Sequence, residues 1–226
     1  MREIILDTET TGLDPKSGHR LIEVGCLEVV NCMPTGAFFH AYVNPERDVP
    51  AEATKIHGLT TDFLKDFPSF KNIYQKFLDF IGESPLVIHN AEFDLKFLNF
   101  ELGQISSPSL SNPVVDTLKV ARELFPGSPA SLDALCRRFK VDASSRTFHG
   151  ALIDCELLAS VYLELRGGRQ RGLSLTKEAQ KKGFSSSFVL DLLGHYQGRS
   201  FKEPRVFPMD TEEKKQHDLF FAKLKP

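Results

Sequence analysis

Three short stretches of the chain carry acidic or histidine side chains at spacings suited to metal and proton chemistry. In the first, Asp7 and Glu9 follow a short apolar run and are two residues apart. At the end of a strand such side chains point to the same face of a sheet, so the two carboxylates lie side by side. They repel each other unless they share a proton or a cation, and their oxygens suit a hard divalent metal such as Mg²⁺ or Mn²⁺. The pair is therefore a candidate metal site, and a polar turn after a strand is the alternative.

The second and third stretches are ambiguous when each is taken alone. Asn90 and Asp94 are four residues apart and share one face if a helix starts there, but capping by Asn90 with Asp94 favourable to the helix dipole is the simpler explanation. His149 and Asp154 are five apart and do not share a helix face, so Asp154 is predicted on a helix and His149 in the loop before it. A histidine near such a cluster is a natural general base, because its ordinary pKa of about 6.5 lets it accept a proton at neutral pH. A surface histidine and an exposed aspartate are the alternative.

The hydrophobic pattern places these stretches at the ends of strands or the starts of helices. Continuous or alternating apolar residues predict strands at about 3–7, 21–30, 37–43, 86–88 and 114–115. Apolar residues three and four apart predict helices at about 70–81, 93–102, 117–125, 132–139 and 150–165. Open α/β sheets place their sites at such strand ends, so the four carboxylates and the histidine together favour one common site.

The order of the elements, three strands followed by alternating helices and strands, predicts an α/β fold with a mixed sheet. Pro34-Thr35-Gly36 is predicted to be the turn between the second and third strands, and a loop is expected from Asn44-Pro45 onward. Ser69 and Ser131 are predicted N-caps, and N-capping is also the expected role of Asp116.

Composition and charge limit the function classes. The 226 residues are 41% hydrophobic and 26% charged, which supports a folded core and excludes wholesale disorder. No apolar run approaches the length of a membrane-spanning helix, and the N-terminal apolar stretch is too short for a signal peptide. The four cysteines form no C-x-x-C pair, so a zinc site is disfavoured and a reducing cytoplasm is the expected location.

Charge is divided unevenly along the chain. Residues 1–165 hold 15 Lys and Arg against 23 Asp and Glu, a net charge of −8, whereas residues 166–226 hold 13 against 7, a net charge of +6. An acidic front part cannot bind a polyanion by bulk attraction alone, so bound cations must offset its charge if the substrate is nucleic acid. Gly167-Gly168 interrupts the chain after the last predicted helix, at the point where the composition changes. The sequence therefore predicts a domain at 1–165, a flexible linker at 166–187 and a partly helical tail at 188–226.

These motifs and several longer stretches together resemble a known family. The ordered set Asp7-x-Glu9, Asp94 and His149-x4-Asp154 is similar to the DEDDh branch of the DnaQ-like exonucleases, which have an RNase H-like fold. Within that branch, residues 1–175 resemble the family of epsilon subunits of bacterial DNA polymerase III almost continuously. The stretches that carry this narrower resemblance are Leu6 to Gly12 with Gly18-His19-Arg20, Asn44-Pro45-Glu46-Arg47, His57-Gly58-Leu59-Thr60, Val115-Asp116-Thr117-Leu118, Phe125-Pro126-Gly127, Ser131-Leu132-Asp133-Ala134-Leu135-Cys136 and His149-Gly150-Ala151-Leu152-Ile153-Asp154.

The resemblance implies a fold with a central mixed five-stranded sheet flanked by helices, and a reaction. The reaction is 3′→5′ removal of mispaired nucleotides from the DNA primer terminus by two-metal phosphodiester hydrolysis. Asp7 would bridge two divalent cations, Mg²⁺ or Mn²⁺, while Glu9 and Asp154 complete one metal site and Asp94 supports the other. His149 would take the proton from the attacking water.

The resemblance also implies contacts with the DNA substrate, at a single-stranded or frayed 3′ end. Glu52 would hold the terminal sugar, and His57 would wedge at the last base. The other expected substrate contacts are Asp7, Glu9, Thr10, Thr11, Gly12, Leu13, Asn90, Phe93 and Asp154.

Partner sites are expected in the tail. A loose Q-x-x-L-x-L pattern at 170–175 resembles the segment that docks on the sliding clamp, although the family often has Pro where Arg171 stands and an ordinary linker is the alternative. A capped helix over 210–224 resembles the segment that binds the polymerase III catalytic (alpha) subunit. A theta-like small subunit is a third candidate partner. The residues expected to make the clamp and polymerase contacts are Gln170, Leu173, Leu175, Phe207, Phe220, Phe221 and Leu224.

Two other functions are compatible with parts of the pattern. A stand-alone DNA or RNA 3′→5′ exonuclease of the same superfamily would use the same five residues, and no residue here visibly selects deoxyribose over ribose. A non-catalytic structural polymerase subunit is disfavoured, because such a chain could have lost a carboxylate or the histidine and all five are present.

Overall fold

The structure, a computed structural model, describes residues 1–144 and 148–168, together with Glu212, Lys214, Lys215 and His217. The chain divides into two units, Met1–Gly172 and Leu173–Pro226, and the sheet with its flanking helices lies in the first. The predicted linker and tail fall almost wholly outside the described residues, so their boundaries stay predictions. No helix within the described part of the chain is long and apolar enough to cross a membrane.

A five-stranded mixed sheet forms the centre of the first unit. Its strands are β1 (Arg2–Thr10), β2 (Leu21–Val30), β3 (Met33–Tyr42), β4 (Leu86–Ile88) and β5 (Val114–Asp116). They lie in the order β3-β2-β1-β4-β5, in which the β3–β2 and β2–β1 pairs are antiparallel and the β1–β4 and β4–β5 pairs are parallel. The predicted α/β fold with a mixed five-stranded sheet is thus confirmed. The parallel strands bring the residues that follow β4 and β5 to the same edge as the end of β1.

Helices cover both faces of the sheet. They are α1 (Ala51–His57), α2 (Thr61–Leu64), α3 (Phe70–Ile81), α4 (Ala91–Gln104), α5 (Thr117–Leu124), α6 (Leu132–Phe139) and α7 (Ala151–Leu165). Alternation along β1 sends Ile4 and Leu6 into the core with α3 and α4, and sends Ile5 into the core with α7. The five helices predicted from apolar spacing correspond to α3 through α7.

The turn between β2 and β3 lies earlier than predicted. Asn31 and Cys32 form it with φ angles of 54° and 66°, the left-handed conformation that a two-residue hairpin turn uses. Pro34-Thr35-Gly36 instead lies inside β3, which starts at Met33. Proline is tolerated there because β3 is an edge strand, in which not every backbone N–H has a partner strand.

Two short helices stand where a loop was predicted after Asn44-Pro45. Helix α1 ends at Gly58, whose φ is 76°, and α2 begins after Thr60, whose side chain accepts a hydrogen bond from the N–H of Phe63. Helices of seven and four residues are too short to show a complete apolar stripe in the sequence.

The predicted N-caps divide into two groups. Asp116 and Ser131 accept cap hydrogen bonds from Leu118 N and Ala134 N, as predicted. Ser69 and Asn90 occupy N-cap positions, but their side chains make no cap hydrogen bond. Asn90 has a φ of 68°, outside the extended conformation of the usual N-cap, so its side chain is left for another role.

Candidate active site

Strand β1 carries both carboxylates of the first motif. It extends to Thr10, further than the predicted end near Asp7, so Glu9 also lies within the strand, and the two side chains point to one face of the sheet. The pairing with β2 shifts register between Glu9 and Thr10. Such irregularities bend a strand and re-aim the side chains that follow.

Helix α7 reaches this face because Gly25 of β2 has no side chain. Gly25 lies directly opposite Asp7 in the β1–β2 pairing. A Cβ atom at Gly25 would lie 2.5 Å from the backbone carbonyl carbon of Ala151, closer than real atoms approach. The close approach of the first turn of α7 brings the buried Asp154 to the Asp7 side of the sheet.

Asp94 joins the group from the helix layer on the other face. It lies in the first turn of α4 and is buried, and its Oδ1 accepts a 2.7 Å hydrogen bond from the Thr8 hydroxyl. Thr8 stands between Asp7 and Glu9 in β1. Asp7 and Glu9 thus present their carboxylates on one face of the sheet, and Thr8 binds the Asp94 carboxylate on the other. Asp94, Glu9 and Asp154 lie close enough to Asp7 for their charges, with that of Glu23, to raise its pKa.

His149 precedes α7 and lies next to Asp154. Its Nδ1 is 3.5 Å from Asp154 Oδ2, and the imidazole side chain is 46% exposed while that of Asp154 is 5% exposed. Ligand atoms of Glu9, His149 and Asp154 lie within 4.8 Å of one another, a separation that one metal ion could bridge. These three groups therefore lie together, with the histidine on the solvent side, while Asp7 lies near enough to Glu9, Asp94 and Asp154 to be affected by their charges.

Burial and mutual repulsion oppose the charged forms of these carboxylates. Removal from water is the largest cause that raises the pKa of Asp7 well above its ordinary value, followed by repulsion from Asp94 and then Glu9. Burial likewise raises the pKa of Asp94 to about 7, although the hydrogen bond from Thr8 opposes the shift. A bound cation would relieve this repulsion, so the donor set fits divalent metal ions.

A first cleft of about 600 Å³ opens beside Glu9. One wall is the segment after β1 and the other is α1, with Phe93 of α4 between them. The predicted substrate residues that line it are Glu9, Thr10, Thr11, Gly12, Leu13, Glu52, His57 and Phe93. Leu13 is 81% exposed in this lining.

His57 presents a buried donor in the first cleft. Its Nδ1 accepts a hydrogen bond from the N–H of Leu59, so the ring proton resides on Nε2. Nε2 is buried and has no hydrogen-bond partner among the described residues. Burial is the main cause that lowers the pKa of His57, which favours the neutral ring.

Two ion pairs fasten the wall that follows β1. Arg20 donates two hydrogen bonds to Glu101 of α4, at 2.7 and 2.8 Å, and Lys96 lies 3.0 Å from Asp14. Gly12 also lies against the ring of His19, where a Cβ atom would collide. The segment from Thr11 to Arg20 is thereby attached to the helix that carries Asp94.

A second cleft of about 450 Å³ lies on the other side of the carboxylates. Its lining residues are Asp7, His89, Asn90, Leu118, Arg122, Ser131, Leu132, Asp133, His149 and Asp154. Asn90 thus lies with this cleft, as do Asp7 and Asp154, whereas the other predicted substrate residues line the first. Among the described residues of the lining, Arg122 is the only lysine or arginine.

Known proteins match the chain over nearly its whole length. A family model described as an exonuclease matches residues 4–162. The DNA polymerase III subunit epsilon of Rickettsia conorii is 56% identical over 230 residues, 99% of this chain and 96% of that protein. The same subunit of Rickettsia prowazekii is 49% identical over 229 residues, 99% of this chain and 97% of that protein. The chain belongs to the epsilon-subunit family of exonucleases.

Solved structures share the fold of this epsilon-family chain. Exonuclease X in complex with 5′ overhanging duplex DNA matches with a TM-score of 0.59 and 26% identity, over 72% of this chain and 90% of that one. The nuclease domain of 3′hExo, a DEDDh family member bound to rAMP, matches with a TM-score of 0.63 and 20% identity, over 74% and 92%. The predicted RNase H-like fold is confirmed.

Some residues of the epsilon-family site escaped sequence reasoning. Arg122 and His89 carry no local spacing signal, and Ser131 was identified only as a helix cap. The role of Gly25 could not be recognised from its place in a strand, because its contact with Ala151 joins positions far apart in the chain. The predicted partner residues Gln170, Leu173, Leu175, Phe207, Phe220, Phe221 and Leu224 lie outside the described residues.

Proposed function

We propose that this chain removes mispaired nucleotides from the 3′ end of a DNA primer by hydrolysis, as the proofreading exonuclease of a bacterial replicative polymerase. One observation carries the proposal: four carboxylates and a histidine from β1, α4 and the segment leading into α7 lie near one another, with Glu9 in the lining of the first cleft and Asp7, His149 and Asp154 in that of the second. A nucleotide seated in the first cleft would have its linking phosphodiester at the carboxylates. Membership of the epsilon-subunit family supports the same reaction.

The carboxylates would hold two divalent cations, Mg²⁺ or Mn²⁺. DEDDh exonucleases use divalent metal ions, and when bound these supply positive charge that stabilises the reacting phosphate and acidifies water. Asp7, at the centre of the group, would contact both cations, Glu9 and Asp154 would complete one site, and Asp94 would support the other. Oxygen ligands suit these metals better than an imidazole does, so His149 is left for proton transfer.

His149 would accept the proton of the attacking water. Its imidazole is partly exposed at the junction of the site with solvent, where water can reach it. Asp154 lies 3.5 Å from Nδ1, so its carboxylate stabilises the imidazolium that forms and leaves Nε2 to take the proton.

The first cleft would bind the terminal nucleoside. The buried Nε2–H of His57 would donate a hydrogen bond to an acceptor of that nucleoside, and Glu52 would accept one from its sugar. Leu13 and Phe93 would contact the base from either side. Leaving a buried donor unpaired costs about 1–3 kcal/mol, so a ligand that pairs His57 gains affinity.

The second cleft would take the strand on the 5′ side of the reacting phosphate. Arg122 would then pair with a phosphate of that strand, since it is the only lysine or arginine among the described residues of a lining that also holds three aspartates. Asn90, beside Asp7 in this cleft, would contact the same strand.

A degradation assay tests the proposed function. A duplex with a mismatched 3′ end and a 5′ label is expected to shorten one nucleotide at a time with Mg²⁺ and to release nucleoside monophosphates, and EDTA should stop the reaction. Asp7→Asn is expected to lower the rate at least about 100-fold, while the exposed control Asp66→Asn is not. Wild-type activity in Asp7→Asn, or shortening in EDTA, would disprove the chemistry. Faster degradation of an RNA end would instead favour a stand-alone ribonuclease.

The polymerase III catalytic subunit is the proposed partner of the tail at 188–226, with the sliding clamp at 170–175. Truncation after Gly167 is expected to abolish co-purification with the catalytic subunit while nucleotide release from free DNA persists. Undiminished co-purification of the truncated chain would place the interface in the exonuclease domain instead. Replacement of Gln170, Leu173 and Leu175 by alanine tests the clamp contact in the same way.

A further inference from the structure

Phe148, immediately before His149, is an exposed aromatic residue that packs on the end of α1. Its side chain is 53% exposed. A Cβ atom at Gly58 would lie 3.2 Å from Cγ and 3.3 Å from Cδ2 of the Phe148 ring, so the ring covers the bare backbone of that glycine. The positive φ of Gly58 ends α1 and turns the backbone toward the ring.

A backbone hydrogen bond fastens the next residue to the same helix end. The N–H of His149 donates to the carbonyl of Ile56 at 3.1 Å. Two consecutive residues, one by its ring and the other by its backbone, are therefore held on the last turn of α1. His149 also lies close enough to His57 to contribute to the lowered pKa of that ring.

The same helix forms a wall of the first cleft. Glu52, Ala53, Ile56 and His57 of α1 line it, while His149 belongs to the second cleft. The helix that would seat the terminal nucleoside thus also supports the segment of the general base. Displacement of α1 would move both.

We propose that Phe148 is a positioning residue for His149. The contact of the Phe148 ring with Gly58 fixes the distance between the seated nucleotide and the imidazole of His149, which acts as the general base. This inference rests on the proposed role of His149. Without the ring, the segment would lose its packing on the end of α1 and keep its polar contacts, among them the Ile56 hydrogen bond and the approach of His149 to Asp154, and the imidazole would spend part of its time outside reach of the attacking water. Misplacement of a catalytic group by about 1 Å can lower a rate about 100-fold.

The test is a double-mutant cycle between Phe148 and His149 with a mismatched 3′ end as substrate. Phe148→Ala is expected to lower kcat about 10- to 100-fold with KM changed less than about threefold. Phe148→Leu, which keeps an apolar side chain on Gly58, is expected to recover most of kcat. In a His149→Ala background, Phe148→Ala is expected to change kcat less than about twofold, because the group it positions is gone.

Phe38→Ala is the matched control. Phe38 is a phenylalanine of similar exposure, 58%, on edge strand β3 outside both clefts, and its loss should leave kcat unchanged. An equal loss from Phe148→Ala with and without His149 would overturn the inference, as would a raised KM with unchanged kcat, which would indicate direct contact with DNA. If His149→Ala alone kept wild-type activity, the proposed function itself would fail. Failure of the Phe148 inference is a different result, because it leaves the loss of activity in His149→Ala in place.

Discussion

The hydrogen bond from Thr8 to Asp94 limits how far burial raises the pKa of that carboxyl group. Burial raises the pKa of Asp94 to about 7, and the hydrogen bond from the Thr8 hydroxyl opposes that rise because it stabilises the charged form. A divalent cation requires the deprotonated carboxylate. In the proposed mechanism, protonation of Asp94 would therefore compete with metal binding just below neutral pH, and Thr8 would limit that competition.

Thr8→Val tests this role, since valine keeps the shape and removes the hydroxyl. The pKa of Asp94 should rise, because a hydrogen bond to its charged form is lost, and the acidic limb of the pH profile of kcat/KM should move up by about one unit. Activity at pH 7 falls, whereas activity at pH 9 approaches that of the wild type. Thr8→Ser should restore the profile; an acidic limb that stays in place in Thr8→Val would show that Asp94 does not govern it.

At the scale of elements, the contact between β2 and α7 decides where the last two site residues stand. Gly25 permits the first turn of α7 to approach the sheet, and Cys155 Sγ lies 3.3 Å from the Gly25 carbonyl oxygen as a consequence. Asp154 and His149 are carried by that turn and by the loop before it. The geometry of the site thus depends on a residue that makes no contact with the substrate.

Gly25→Ala is expected to displace α7 from the sheet. Overpacking of this kind costs about 1–3 kcal/mol in the free energy of unfolding, and nucleotide release should fall at least about tenfold because Asp154 and His149 move. Gly103→Ala in α4 is the matched control, since a Cβ atom there meets no atom within 4 Å. It should stabilise the helix by about 0.5–1 kcal/mol and leave activity intact. Urea unfolding and the mismatch assay, applied to both variants, measure these effects; full activity in Gly25→Ala would contradict the account.

The regular elements were predictable where a hydrophobic face was long enough to show its period. Helix α3 matched residue for residue, because four of its apolar side chains enter the core at helical spacing. Helices α1 and α2 were not predicted, because helices of seven and four residues are too short to show an apolar stripe. Gly58 caps the end of α1, and Thr60 caps the start of α2. The β2–β3 turn was misplaced because Pro34 is a strong turn signal locally, whereas the edge position of β3 that tolerates it is a property of the whole sheet.

On the scale of the molecule, an acidic domain must bind an acidic polymer. Residues 1–165 carry a net charge of −8. Among the described residues that line the second cleft, Arg122 is the lysine or arginine that would face the DNA, together with cations at the carboxylates. The affinity for DNA should therefore depend on few ionic contacts and fall only modestly with salt.

Arg122→Gln tests the proposed path of the strand. It should lower kcat/KM for an oligonucleotide about three- to tenfold at low salt and reduce the salt slope by about one, because one phosphate contact is lost. The 4-nitrophenyl ester of thymidine 5′-phosphate has no strand in the second cleft, so its hydrolysis should not change. Lys119→Gln, a neighbour on α5 outside that cleft, is the control. Equal losses for both substrates would remove Arg122 from the strand path.

The candidate site was predictable in its charged groups and not in its shape. Asp7, Glu9, Asp94, His149 and Asp154 stand in local motifs, so their types and spacing are visible in the sequence. The two clefts, the unpaired Nε2 of His57 and the Phe148–Gly58 contact arise from residues that meet only in the folded chain. No local pattern encodes such contacts.

Convergence of the four carboxylates on a common metal site is the central claim, and direct titration of the full-length chain with Mn²⁺ tests it. Calorimetry with the wild type and Asp7→Asn, at pH 8 and without DNA, gives the affinity and the number of ions bound. The account predicts saturable binding by the wild type and at least a tenfold weaker affinity or a lost site in Asp7→Asn, with Asp66→Asn unchanged. Equal Mn²⁺ binding by the wild type and Asp7→Asn would contradict it.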